Sequence, residues 1–295
     1  HDMGVTHVIR GDDHLNNAFR QLPIYRAMQE IEGGWDDPVY AHIPLIHGAD
    51  GAKLSKRHGA MGVDAYRDEL GLLPEAVANY LLRLGWGHGD QENFTREEAI
   101  ALFDLPAVGK SPSRFDFKKL ANMCGQYMRE ADDARLADLA APRIAALEPS
   151  FDAASHRGLL IEAMPALKAR AKNLDELAAG ALFLFRQRPL PMDEKAGALL
   201  QGEGAGELLS DVAERLDACS EWAIEPLEAE LKSMAEEREL GLGKIAQPLR
   251  AALTGQSTSP GIFDVLVLLG RAESLARIRE GAARAALDES AAAGN

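Results

Sequence analysis

The sequence predicts an α/β segment followed by a longer all-helical region. Two short β-branched runs flank a helical pattern near the start, and beyond Tyr127 apolar residues recur only at helical spacing. The first run, Val5-Thr6-His7-Val8-Ile9-Arg10, stops at Gly11 and reads as a short buried strand. A helix follows, with Asn16 or Asn17 as its cap and Phe19, Leu22, Tyr25 and Met28 along it; Pro23 should kink it or delay its start. Residues Val39 to Ile46 read as the second strand. Strand, helix, strand in this order is a parallel βαβ unit, whose ligands sit at the carboxyl ends of its strands. Those ends carry Arg10 to His14 and His47 to His58.

From Asp64 to Arg83 the pattern is helical, broken by Gly71 and Pro74, and Gly85 to Asp90 form a turn-rich connector. Thr95 followed by Glu98 is a capping-box pattern that opens another helix. The helical region that follows shows core stripes at Leu136, Leu139, Ile144 and Leu147, at Leu208, Leu209, Val212 and Leu216, and at Leu227, Leu231 and Met234. Pro189, Pro191 and Gly202 to Gly206 punctuate its middle and suggest two helical subdomains. Ser259-Pro260 reads as a cap with proline at the first helical position, opening a buried helix that Gly270 closes, and the tail from Ala291 is expected to fray.

Composition narrows the function. The chain of 295 residues is 46% hydrophobic and 26% charged, which suits two or more soluble domains. No apolar run approaches the roughly 20 residues that cross a bilayer, and the start has no signal-peptide character, so no membrane partner and a cytoplasmic location are expected. Cys124 and Cys219 lie outside any metal-ligand spacing, so no metal site is expected. A formal charge of −14 argues against nucleic-acid binding through the whole surface. Local basic clusters at Lys53 to Arg57, Lys110 to Lys119 and Arg157 to Lys172 leave room for a local track.

The sharpest feature is Lys53-Leu54-Ser55-Lys56-Arg57, set between the turn Gly48-Ala49-Asp50-Gly51 and Gly59. Three cations within five residues repel one another, and a triphosphate would relieve that repulsion. Taken alone, the five residues fit a solvated basic turn equally well.

The wider sequence resembles one family. Lys53 to Arg57 is similar to the second signature of class I aminoacyl-tRNA synthetases in the form used by bacterial-type glutamyl-tRNA synthetases, and His58-Gly59-Ala60 continues the match. Asp2 to His14 resembles the segment that precedes this signature. Leu73 to Ala76, Leu84 to Asp90 and Lys110-Ser111-Pro112 resemble the stem-contact region, and Gly243 to Arg250 and Ser259 to Phe263 the anticodon-binding part. The helical C-terminal region separates the chain from glutaminyl-tRNA synthetases, which end in β-barrels, and from the glutamyl-queuosine enzyme, which has no anticodon domain.

The resemblance implies an α/β remnant of a Rossmann-type nucleotide-binding domain over residues 1–60, a stem-contact domain over 61–128 and an α-helical anticodon-binding domain over 129–295, divided near 186–205. It implies an ATP-dependent glutamate–tRNA ligase: glutamate attacks the α-phosphate of ATP, and the glutamyl group then passes to the 3′ end of tRNA(Glu). By correspondence Arg10 meets the carboxylate of L-glutamate. Asp13, His14, Ile46, Lys53, Ser55, Lys56 and Arg57 bind ATP, with Lys53 and Lys56 stabilising the charge of the reacting phosphates. Mg²⁺ enters with ATP, no zinc is expected, and a monomer is implied. Arg114, Arg157, Arg170, Arg186 and Arg188 are the arginines available for the anticodon loop. The family's first signature, a His-Ile-Gly-His type tetrapeptide, has no counterpart here. The natural protein is therefore expected to extend further toward its N-terminus, and this chain alone to be inactive. The alternatives are a non-catalytic tRNA-binding module, a synthetase that also charges tRNA(Gln), and a generic nucleotide-binding domain with a helical appendage.

Overall fold

The computed structural model describes residues 1–54 and 62–293, with side chains as far as 287. The chain divides into two compact units, His1–Tyr127 and Met128–Asn295.

In the first unit, β1 (His7–Gly11) and β2 (Val39–Ile43) pair in parallel, with Arg10 opposite His42. The α-helix α1 (Leu15–Ile31) connects them, making the βαβ unit. Four features differ from the sequence reading. The first strand starts at His7 and is not buried, Ile9 being 43% exposed. The second strand ends at Ile43, because Pro44 has no N–H to give to a ladder. No asparagine caps α1: a single 3-10 turn, Asp12–His14, leads into it, with His14 at the cap position and no side-chain cap bond. Pro23 neither delays nor ends the helix.

Beyond the sheet come α2 (Val63–Asp68), α3 (Pro74–Gly85), α4 (Arg96–Leu102) and α5 (Phe117–Glu130). Helix α3 starts with proline at its first position, where the missing N–H costs nothing. The capping box of α4 is complete, with the Thr95 hydroxyl accepting from Glu98 N and the Glu98 carboxylate from Thr95 N. Leu73, Ala76, Tyr80, Leu120 and Cys124 are buried in this part of the unit. Asn79 is buried there too, and it is satisfied by donating to Glu92 O and accepting from Phe94 N.

The second unit is built of helices joined by short connectors, with no strand among its described residues: α6 (Asp133–Leu147), α7 (Ala153–Lys168), α8 (Leu174–Ala181), α9 (Glu194–Leu200), α10 (Ala205–Ala218), α11 (Ile224–Glu237), α12 (Leu242–Thr254) and α13 (Ile262–Ala293). Aspartate or asparagine caps several of these, Asp132 on α6, Asp152 on α7, Asn173 on α8 and Asp193 on α9. The buried stripes are Leu136, Ala140 and Ile144, then Leu209, Val212 and Leu216, then Leu227, Leu231 and Met234. Each such leucine contributes about 1.5–3 kcal/mol relative to exposure. Leu139 and Leu147 fall off the stripe of α6, at 38% and 53% exposure. At the far end, α13 starts at Ile262, so Pro260 lies ahead of the first turn and not within it. Gly270, at φ 74 and ψ 164, interrupts α13 without closing it, because the chain resumes a helix directly afterwards.

Candidate functional site

The carboxyl ends of the two strands lie side by side, because the parallel register sets Arg10 across from His42. Arg10 Nε donates to His42 Nε2 at 3.3 Å, and Nη1 donates to Gln21 Oε1 on α1 at 3.0 Å. Since guanidinium only donates, His42 carries its ring proton on Nδ1. The guanidinium carbon lies 5.3 Å from the centre of the Tyr40 ring, whose plane is stacked with His42. Two arms of the fork are thus fixed. Nη2 is buried and has no hydrogen-bond partner among the described residues. A buried, unpartnered guanidinium nitrogen beside a strand end suits a carboxylate.

The turn after β2 is built by its own backbone. His47 and Lys53 form an antiparallel bridge, Leu54 N donates to Ile46 O at 2.9 Å, and Gly48 N to Ala52 O at 2.9 Å. Gly51 supplies the left-handed conformation that closes the loop, at φ 80. The other side of His47 pairs with the backbone around Arg114, through His47 N to Ser113 O at 2.8 Å and Phe115 N to His47 O at 2.9 Å. Lys53 is therefore carried on a braced segment. Its ammonium reaches back to Asp13 at 3.0 Å, joining the loop after β1 to the turn after β2. The hydrogen bond from Lys53 lowers the Asp13 pKa below its ordinary value, and slight burial opposes it.

Of the residues chosen from sequence, Arg10, Asp13 and Lys53 occupy the strand ends. His14 turns toward Asn17, with Nδ1 3.2 Å from Nδ2, and Nε2 lies 3.9 Å from Asp13. Ile46 is half-buried, and its carbonyl is already taken by Leu54 N. Ser55, Lys56 and Arg57 lie outside the described residues. His42, Gln21 and Tyr40, which hold Arg10, escape sequence reading because nothing local reveals the pairing register. No group of three or more His, Cys, Asp or Glu that could hold a metal occurs among the described residues, and no described helix is long and apolar enough to cross a membrane.

The second unit has a cleft of about 780 Å³ whose lining includes Arg170, Glu176, Arg186, Asp193, Gln256 and Ser259. Arg157 is held by Asp138, Arg186 by Glu148, and Arg188 by Glu273 and Glu280. Arg170 differs: Nη1 donates to the carbonyl of Ser259 at 3.1 Å, and among the described residues it has no carboxylate partner. Arg250 donates to the Ser259 hydroxyl at 2.9 Å. Burial, and then the charge of Arg170, lowers the Arg250 pKa. Asp193 ties the lining together: it caps α9, and Oδ2 accepts from Ser257 N at 3.0 Å. A Cβ at Gly255 would collide with the carbonyl oxygen of Pro191, so only glycine lets these segments meet.

Residues 1–122 match the family described as tRNA synthetases class I (E and Q), catalytic domain, and residues 119–282 match the anticodon binding domain. A protein named glutamate–tRNA ligase 2 of Novosphingobium aromaticivorans is 68% identical over 283 residues, 96% of this chain and 58% of its own length. Glutamate–tRNA ligase 1 of Erythrobacter litoralis is 70% identical over 278 residues, 94% and 56% of the respective chains. A crystal structure of a glutamate tRNA ligase from Elizabethkingia meningosepticum in complex with its amino acid superposes with a TM-score of 0.76 at 27% identity, covering 96% of this chain and 58% of that one. The chain thus spans somewhat over half the length of these relatives. With the two matches running from a class I catalytic segment into an anticodon binding domain, the chain belongs to the glutamyl-tRNA synthetase family.

Proposed function

We propose that the longer protein of which this chain forms a part ligates glutamate to tRNA(Glu) at the expense of ATP, in the cytoplasm and as a monomer. The observation that carries the reading is the buried Nη2 of Arg10, without a partner among the described residues, at the carboxyl end of β1, whose following loop is joined to the turn after β2 by the Asp13–Lys53 pair. Arg10 offers its free arm to a carboxylate of glutamate. Lys53 exchanges Asp13 for a phosphate oxygen as ATP enters, and the sequence signature it opens assigns Ser55, Lys56 and Arg57 to the same nucleotide. Asp13, His14 and the backbone at Ile46 meet the nucleotide. Mg²⁺ arrives on the triphosphate.

Neither reaction step needs a side-chain nucleophile. The glutamate α-carboxylate attacks the α-phosphate and pyrophosphate leaves; a ribose hydroxyl of the tRNA end then attacks the mixed anhydride and releases AMP. Cations placed on the phosphates stabilise charge as it develops.

In this reading residues 1–60 serve activation, 61–128 the tRNA stem, and 129–295, divided near 186–205, the anticodon loop. The cleft supports the last assignment. Arg170, without a carboxylate partner among the described residues and sharing Ser259 with Arg250, offers a planar guanidinium to a splayed nucleotide. The test is transfer of labelled glutamate to tRNA by the longer protein, by its Lys56→Ala variant and by this chain alone. Transfer by the first and its near loss in the other two is expected; undiminished transfer by Lys56→Ala overturns the reading. Tight tRNA binding without transfer by the longer protein would mark a non-catalytic tRNA-binding module instead. Transfer to tRNA(Gln) in the same assay would extend the substrate range.

A further inference from the structure

Arg277, on the second segment of α13, is 3% exposed. A buried guanidinium demands a partner for each of its arms, and this one is fully engaged. Nη1 donates to Phe183 O at 2.9 Å and to Leu253 O at 2.8 Å, Nη2 to Arg186 O at 2.8 Å, and Nε to Glu273 Oε1 at 2.7 Å. The three carbonyls share a property. Phe183 lies in the 3-10 turn Leu182–Leu184 that extends α8, Arg186 follows just beyond it, and Leu253 is next to last in α12. Carbonyls at helix C-termini lack intrahelical partners and carry the negative end of the helix dipole, so a cation fits there. Only the planar, branched fork of arginine can meet three carbonyls in different directions at once.

Both helix ends lead into the cleft. Arg186 is part of the cleft lining, and Leu253 precedes the Gly255-Gln256 turn, which is also part of it, whereas Arg277 is not among the lining residues. The guanidinium therefore fixes two segments of the cleft from behind. We propose that Arg277 is a positioning residue for RNA: by clamping the ends of α8 and α12 it sets the separation between Arg186 and the Gly255-Gln256 turn that a loop nucleotide occupies. This rests on the reading of the cleft as the anticodon-loop site. A buried arginine that merely stabilised the fold would affect melting and leave RNA affinity alone.

The experiment is binding of an RNA hairpin carrying the anticodon loop of tRNA(Glu) to this chain, at fixed salt and well below the melting temperature. The proteins are wild type, Arg277→Lys, Arg170→Met and the double variant. Lysine keeps the charge but cannot span three carbonyls, so Arg277→Lys is expected to raise Kd about tenfold, and the double variant no more than the larger single effect, because both residues act through one cleft. If Arg170→Met weakens binding but Arg277→Lys lowers only the melting temperature, or if the two effects simply add, the clamp is overturned while the cleft reading stands. If Arg170→Met leaves Kd unchanged, the cleft reading itself fails and takes the clamp with it. Should lysine at 277 prevent folding, Glu273→Gln decides. Removing the carboxylate that orients the fork is expected to raise Kd about threefold, and an unchanged Kd overturns the proposal.

Discussion

The strand-end site of the first unit and the cleft of the second are assembled by opposite means. Asp13 and Lys53 sit on loops, with side chains 38% and 60% exposed, and meet through one solvent-accessible ion pair. Such pairs are individually weak, so the cation is easily surrendered to a ligand. In the cleft, the polar groups hang from helix ends, and a buried arginine, a capping aspartate and a glycine contact hold the segments together. The contrast fits the chemistry. A site that must trade a protein carboxylate for a triphosphate benefits from loosely committed charges, whereas a site that must discriminate bases benefits from fixed walls.

Replacing Arg10 with methionine tests the first half of that contrast most severely. Losing a fork that is already anchored by His42 and Gln21 is expected to cost the longer protein about a hundredfold to a thousandfold in kcat/KM for glutamate, in line with roughly 3–4 kcal/mol for a desolvated charge contact. Steady-state aminoacylation at varied glutamate checks it, and RNA-hairpin affinity is expected not to move. Leu216→Ala probes the second unit from the other direction. It is fully buried on α10, so its truncation is expected to cost about 2–5 kcal/mol, read in a denaturant titration of this chain, with the transition of the second unit shifting.

A smaller effect separates the two sites by pH. Asp193 is slightly desolvated, which opposes its charge, but backbone N–H groups of Ala196, Ser257 and Lys195 outweigh that and lower its pKa. Its folded pKa thus lies below the unfolded value of about 3.9. Its stabilisation is complete above that value and disappears as pH falls through the folded pKa. Asp193→Asn is expected to remove about 1 kcal/mol or less at neutral pH and to flatten the acid side of the stability curve of this chain below pH ~4. Equal acid slopes for both proteins would show that the cap is not what holds the Gly255–Ser257 turn.

How much of this was legible in the sequence depends on the range of the interaction. The Thr95–Glu98 capping box and the parallel βαβ unit are encoded within a few residues or a single periodicity, and both are present. Arg10 was singled out by its correspondence to the family pattern, and its place at the end of a predicted strand agreed with that. Its supports were not singled out, because His42 becomes its neighbour only through a pairing register more than thirty residues away. Pro44 shortened the second strand by removing one donor, a local cue that the apolar run around it masked. Gly270 looked like a helix stop, yet a positive-φ glycine permits a change of direction as readily as an ending. Arg277 reads as an ordinary helix arginine, since only the folded chain gathers three carbonyls from two segments around it. Arg170 was one of five arginines of equal standing until the carboxylate partners of three others were in view.

The most direct test of the central claim is to measure two quantities on one variant, Lys53→Ala in the longer protein. If the strand-end site handles ATP while the helical cleft handles RNA, the aminoacylation kcat at saturating tRNA falls at least about a hundredfold, the scale of losing one charge-stabilising donor, while the hairpin Kd stays within about twofold. An unchanged kcat, or a hairpin affinity that falls in step with it, would contradict the account.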